Sequence, residues 1–345
     1  MSISKATWQK LFSLAIQFKQ LAPWEWMFDS DIFGVKNPET GVTCYCTIMG
    51  NAGEMFGIGI YVGTEGLDTL LELVNGVELD ELTAGFSQKC LMLAFESKED
   101  ILEQEEKLLK EMKLSFKGKN AIPSFRDYAP GLFPWIIEEE EQAENMIYAL
   151  EQAMAIAERC QEEPELLENE EDEDGELFMV YVQDANDPTK WNVTWEAPEE
   201  YDAPSKEIEA NEIYLRSNLD RIPTKANVNW LVDIFYYYEP VQDKEGERPY
   251  FPYMFLVLDA DSSLIVGHEV FKYGEIETEL QKSLVKICRD NKCRPQNIMV
   301  GTEETMEYLK LFEPYLGAKI EFDEELADFF TELKGDLFSD KEDFE

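Results

Sequence analysis

Tyr253-Met-Phe-Leu-Val-Leu-Asp-Ala-Asp-Ser-Ser-Leu-Ile-Val-Gly-His-Glu-Val-Phe271 reads as a β-hairpin and decides the fold of the second half. Its apolar runs, 253–259 and 264–271, are rich in the branched and aromatic residues that fit a pleated surface. The tetrad 260–263 between them is turn chemistry. Beyond Phe271 the period changes. Ile276, Leu280, Leu284 and Ile287 recur at helical spacing, 297–300 is a short apolar strand, and Met306, Leu309 and Leu316 mark another helix. A strand at 318–322 and a helix through Leu326, Phe329, Phe330 and Leu333 close the pattern. Upstream, 177–183 and 191–196 read as strands about a turn at 184–188, and 230–238 is strand-like through its Val, Ile, Phe and Tyr. Strands and helices mixed in this way predict an α+β domain.

The first half carries a similar order. A helix with Trp8, Leu11, Phe12, Ala15 and Ile16 on one face stops at Pro23. Strands at 43–49 and 55–62 flank Asn51-Ala-Gly53, followed by a helix at 66–74, a strand at 90–95, a helix at 97–112 and a strand at 113–116. Ser97 with Asp100 is a capping-box-like start for the second of those helices. Two α+β domains of hairpin-helix-strand-helix-strand order result, and duplication is one way to produce them. Between 138 and 174 stand 16 acidic residues and one basic residue, Arg159. Ala143, Ile147, Leu150, Met154 and Ala157 keep a helical stripe there, and the stretch from Cys160 reads as a solvated connection. The expected organisation is 1–137 for the N-terminal domain, 138–175 for an acidic helix and linker, 176–334 for the C-terminal domain and 335–345 for an acidic tail.

Charge excludes several function classes. Asp and Glu number 73 against 30 Lys and Arg, a net charge of −43 over 345 residues. Such a chain repels polyanions, so neither direct nucleic-acid binding nor an anionic membrane surface is expected. No apolar run approaches the roughly 20 residues of a membrane helix. With 44% hydrophobic residues there is material for real cores, which excludes a wholly disordered acidic chain. The opening residues lack an apolar signal segment, and a cytoplasmic location is expected.

Few residues carry chemistry. Asp259 and Asp261 sit at the end of an apolar strand, where two carboxylates can converge on a hard cation such as Mg2+ or Mn2+. Asp at a hairpin turn equally caps its own backbone. Cys44 and Cys46 alternate onto one strand face as half a metal site or as buried thiols. His268, the only histidine, lies mid-strand with no nucleophile near it in sequence. The glycines of Phe56-Gly-Ile-Gly-Ile-Tyr-Val-Gly63 lie within a strand rather than at a phosphate-binding turn. Trp24, Trp26 and Trp135 belong to aromatic clusters that serve either a core or a protein interface.

Three resemblances bear on these residues. The order of strand 255–259, strand 264–271, helix, strand 298–300, helix and strand resembles an RNase H-like fold, whose first strand carries a metal-binding Asp. Asp259 fits that place, and the resemblance implies further acids near Glu303, Glu304 and Asp328. Yet Gly301 and Thr302 stand where the second carboxylate belongs, and a third strand before the first helix is not evident. Leu258-Asp-Ala-Asp-Ser-Ser263 is similar to the haloacid-dehalogenase-like phosphatase motif, in a setting that leaves no room for its usual helix. Trp8, Leu11-Phe12, Phe18-Lys19, Pro23-Trp24, Trp26, Phe33-Gly-Val35 and Cys46-Thr-Ile-Met-Gly-Asn-Ala-Gly53 resemble an uncharacterised family of acidic bacterial two-domain proteins. Val257-Leu-Asp-Ala260, Arg294-Pro295 and 298–300 resemble its second domain. That family implies no activity. The expectation is a non-enzymatic cytoplasmic protein without a cofactor that acts through a protein partner. The alternatives are a metal-dependent phosphoryl-transfer or nuclease-like hydrolase using Asp259, and an acidic mimic of nucleic acid.

Overall fold

The computed structural model describes residues 3–74, 87–169, 172, 176–203 and 208–339. The chain divides into two compact units, Met1–Ala203 and Pro204–Glu345, each built from helices and a sheet.

The first unit opens with helix α1 (Lys5–Leu21), whose N-cap Ser4 accepts the Thr7 N–H and whose end is turned by Ala22 in the left-handed region. Strands β1 (Phe33–Lys36), β2 (Thr43–Met49) and β3 (Gly57–Val62), helix α2 (Gly63–Val74), strand β4 (Cys90–Glu96) and helix α3 (Glu103–Met112) follow. Then come β5 (Ile122–Ala129), β6 (Leu132–Ile136), α4 (Glu140–Glu162), β7 (Phe178–Gln183) and β8 (Trp191–Glu196). The eight strands form one sheet in the order β6-β5-β4-β3-β2-β1-β7-β8. All its pairings are antiparallel except that of β1 with β7. Helices α1 and α4 bury their apolar stripes against one face, with Phe18, Ile48, Ile58, Phe125 and Ile156 inside. Leu67 and Leu70 of α2 cover Tyr45, Tyr61 and Met92 on the other. Gly57 is required where it stands, because a Cβ there would run into the Leu93 carbonyl.

Four readings of the first half change. Residues 113–116 form no strand; Leu114 and Phe116 fold back onto the core instead. Helix α3 begins at Glu103, where the Glu105 carboxylate takes the Leu102 N–H at 2.6 Å, while Ser97 donates its hydroxyl to Asn120. The hairpin β5–β6 carries no clear alternation and was not expected. Most consequential, the division between units falls after Ala203 and not within 138–175. Ala143, Met146, Ala149, Leu150, Ala153, Ile156 and Ala157 of the acid-rich helix are fully buried core, and β7 pairs with β1. The helix and the hairpin after it are parts of the first unit.

The second unit contains α5 (Glu212–Leu219), β9 (Asn229–Tyr236), β10 (Tyr253–Asp259), β11 (Ile265–Phe271), α6 (Ile276–Asp290) and β12 (Asn297–Val300). It ends with α7 (Glu303–Lys310), α8 (Glu313–Leu316), β13 (Lys319–Phe322) and α9 (Glu325–Ser339). Its sheet runs β11-β10-β9-β12-β13. β9, β10 and β11 form an antiparallel meander, and β12 lies parallel to both β9 and β13. Trp230, Val232 and Ile234 of β9 face α5, α6 and α7, whereas Leu231 and Phe235 face Phe330 of α9. The strand that opens the meander is therefore β9, and Asp259 belongs to its second strand. The two sheets also differ in strand order, so the linear order shared by the halves does not make them the same topology. Among the described residues no helix is long and apolar enough to cross a membrane.

Candidate functional site

Strand β9 reads Asn229-Trp-Leu-Val-Asp-Ile-Phe-Tyr236, a charged residue inside an apolar run. Alternation places Asp233 on the same sheet face as Leu231 and Phe235, beneath α9, and it is 1% exposed. A buried carboxylate needs partners. Its Oδ1 accepts the Ile234 N–H at 3.0 Å and the Thr305 hydroxyl at 3.3 Å. Thr305, itself fully buried, accepts the Ile234 N–H at 3.2 Å and takes a hydroxyl bond from Thr302, the N-cap of α7, at 2.8 Å. This works because β12 ends at Val300, opposite Val232, leaving the backbone of β9 beyond it to be satisfied by the next helix.

The other oxygen faces a cation. Lys334 of α9 brings its ammonium to 3.0 Å from Asp233 Oδ2, with side-chain exposures of 12% and 1%. The contact is one of charge without hydrogen-bond alignment, and Oδ2 is the one buried side-chain N or O among the described residues that lacks a hydrogen bond. The same ammonium lies 4.7 Å from the centre of the Phe235 ring. Burial holds the Asp233 carboxyl above its ordinary range, against the pull of Lys334 and the hydrogen bonds. The seat of α9 is close-packed as well, since a Cβ on Gly301 would strike the backbone of Leu326 and Ala327. Chemically, the centre locks a helix to a sheet by pairing the carboxylate with an internal ammonium.

The residues singled out from sequence lie elsewhere. Asp259 stands beside Trp230 on β9, three positions along β10 from Leu256, the neighbour of Asp233. Its Oδ1 accepts the Ser262 N–H at 3.0 Å and the Ser262 hydroxyl at 2.7 Å, bonds that hold its carboxyl below the usual value. That is the turn-capping geometry. Asp261 and Asp328 are exposed, and Glu303 and Glu304 are exposed in the first turn of α7, where carboxylates favour the positive end of the helix dipole. Among the described residues no group of three or more His, Cys, Asp or Glu is placed to hold a metal ion.

The aromatic candidates are buried or half-buried against the core, and the thiols are interior. Trp135 is buried; Trp24 packs on Phe18, Phe56 and Phe95; Trp26 donates its indole N–H to the Ala157 carbonyl at 2.9 Å. Cys44 and Cys46 share the core of the first unit, and burial pushes the Cys44 thiol up to about 12 and that of Cys46 well above its ordinary value. All six cysteines are free and buried. Asp233 was missed, and its signal was the lone acid in the apolar run Trp230-Leu-Val-Asp-Ile-Phe-Tyr236.

Residues 8–179 match the family model of a domain of unknown function, DUF7309, and residues 215–334 match that of another, DUF6930. No curated protein and no solved structure matches the chain. Between them the two matches take in the greater part of both units. The chain thus belongs to the two-domain family in which the domain of unknown function DUF7309 is followed by DUF6930.

Proposed function

We propose that this is a non-enzymatic cytoplasmic protein that acts through contacts with other proteins, and that its second unit is an RNase H-like scaffold without a working metal centre. The strand order β11-β10-β9-β12-β13, with an antiparallel meander followed by two parallel strands, supports the scaffold reading. β9, legible as a strand but without a place in that order from sequence, supplies its missing strand, and Asp233 replaces Asp259 as the acid on the first strand of such a fold. One observation carries the functional reading. The Lys334 ammonium, 3.0 Å from Asp233 Oδ2, stands where a divalent cation would have to approach that carboxylate. A bound Mg2+ would need several oxygen ligands at about 2.1 Å, and the ammonium fills that space. With a net charge of −43, basic proteins are the favoured partners, and their association should weaken as salt screens the field.

The rival reading uses Asp259 and Asp261 as cation ligands in phosphoryl transfer. It meets an Asp259 already engaged by Ser262. The test is hydrolysis of a panel of phosphate esters, single strands and duplexes with Mg2+ or Mn2+, on the wild type and on Asp233→Asn and Asp259→Asn. No metal-dependent turnover is expected from any of the three. Turnover abolished by either substitution, with the circular dichroism spectrum retained, would overturn the proposal.

A further inference from the structure

One groove in the first unit is lined by more lysines than acids. The segment between β4 and α3, the last turns of α3 and residues 114–118 enclose a groove of about 600 Å³. Its floor is apolar: Ile101, Leu109, Leu114, Phe116 and Ile122. Lys98, Lys110 and Lys117 stand around it, and the single carboxylate in the lining, Glu106, is held by Lys110 at 3.1 Å. The stretch Lys113-Leu-Ser-Phe-Lys-Gly-Lys119 contains no acidic residue. Lys98, Lys113, Lys117 and Lys119 are exposed and form no ion pair among the described residues, although the chain holds 73 acids. Unpaired ammonium groups beside an acid-poor apolar floor are a local arrangement that net charge conceals.

We infer that this groove binds an anionic amphiphile, a small molecule with a hydrocarbon or aryl body and a carboxylate, sulfonate or phosphate head. The body lies on Leu109, Leu114 and Phe116, and the head meets the ammonium groups of Lys98 and Lys117, whose stems extend the apolar walls. The volume suits one such molecule, since small-ligand sites span roughly 300–1,000 Å³. Charge complementarity selects the sign of the head. A compact anion on the floor meets the lining itself, three lysines against the one paired acid Glu106, whereas a polyanion would extend over Glu99, Asp100 and Glu111 of the bounding segments. The inference is independent of the reading of the second unit, because it concerns residues of the first unit alone.

The test uses anilinonaphthalene sulfonate as the fluorescent probe and dodecanoate as competitor, on the full chain and on the double variant Lys98→Gln/Lys117→Gln. Neither lysine has an ion-pair partner to lose among the described residues, and circular dichroism checks that the variant folds. Saturable probe binding, displaced by dodecanoate and weakened about tenfold in the double variant, is the expected result, the worth of two exposed charge contacts. Dodecyltrimethylammonium, with the same chain and the opposite head, should compete at least about tenfold less well. No binding, binding that dodecanoate does not displace, equal competition by the cationic amphiphile, or equal affinity in the variant would each overturn the inference.

Discussion

Replacing Lys334 by Met removes the charge that faces Asp233 while keeping most of the apolar stem, so it isolates the ion pair. Asp233 is 1% exposed and cannot turn to water, and the lysine side chain is 12% exposed, so solvent screens the pair little. Breaking a buried pair on one side costs about 3–5 kcal/mol, since the remaining charge stays buried without its partner. We expect about 3 kcal/mol here, because Asp233 keeps its bonds from Ile234 and Thr305. Trp230 is the only tryptophan after residue 203 and is fully buried, so fluorine NMR of fluorotryptophan-labelled protein reads the second unit by itself during urea titration. The sign of the pH effect is fixed. Asp233 already has a folded-state value above its ordinary 3.8, and losing Lys334 raises it further. The folded variant then holds a proton that the unfolded chain releases, so its stability falls as pH rises from the unfolded value through the folded one. The loss caused by Lys334→Met should be smaller near pH 4 than near pH 7. The double variant Asp233→Leu/Lys334→Met should recover to within about 1 kcal/mol of the wild type, as apolar replacement of a buried pair often does. A single-variant loss under about 1 kcal/mol at neutral pH, with no coupling in the double variant, would refute the reasoning.

Other substitutions probe the first unit. Glu105 is buried and receives Arg126 Nε at 3.2 Å and Nη2 at 2.9 Å, the Ser124 hydroxyl and the Leu102 N–H, so Glu105→Gln should cost about 3 kcal/mol in urea unfolding followed by the first-unit tryptophan resonances. Trp26→Phe deletes the 2.9 Å bond to the Ala157 carbonyl and should cost about 1 kcal/mol, with faster amide exchange near the end of α4. Burial raises the thiols of Cys44 and Cys288 to about 12 and that of Cys160 to about 11, so native protein at neutral pH should resist iodoacetamide, and labelling by mass should appear only in urea.

Periodicity made much of this fold legible, because local pattern and burial agree. The residues 253–259 and 297–300 are the strands β10 and β12 without adjustment, and Trp8, Leu11, Phe12 and Ala15 are the buried stripe of α1. What escaped depends on pairings remote in sequence. The strand β9 was recognisable by composition, but residues 237–252 separate it from β10, and nothing local says that the two pair or that β12 lies on its other side. The parallel pairing of β1 with β7 spans more than a hundred residues and brings the acid-rich helix and its following hairpin into the first unit. The candidate site failed to show for a related reason. Asp259 and Asp261 lie in a turn that announces itself locally, whereas Asp233 acquires its meaning only when Lys334, far along the chain, folds over it. The net charge was likewise a true total that hid Lys98, Lys113, Lys117 and Lys119, which form no ion pair among the described residues.

The central claim is that an internal ammonium, and not a divalent cation, neutralises the acid at the heart of the second unit. Mn2+ titration of the fluorotryptophan-labelled protein tests it most directly, because Trp230 lies in the same strand as Asp233 and directly opposite Asp259. A paramagnetic ion at either carboxylate would broaden that one resonance. The account predicts only gradual, non-saturating broadening from ions scattered over the acidic surface. Saturable broadening at about one equivalent of Mn2+, abolished by Asp233→Asn or Asp259→Asn, would contradict it.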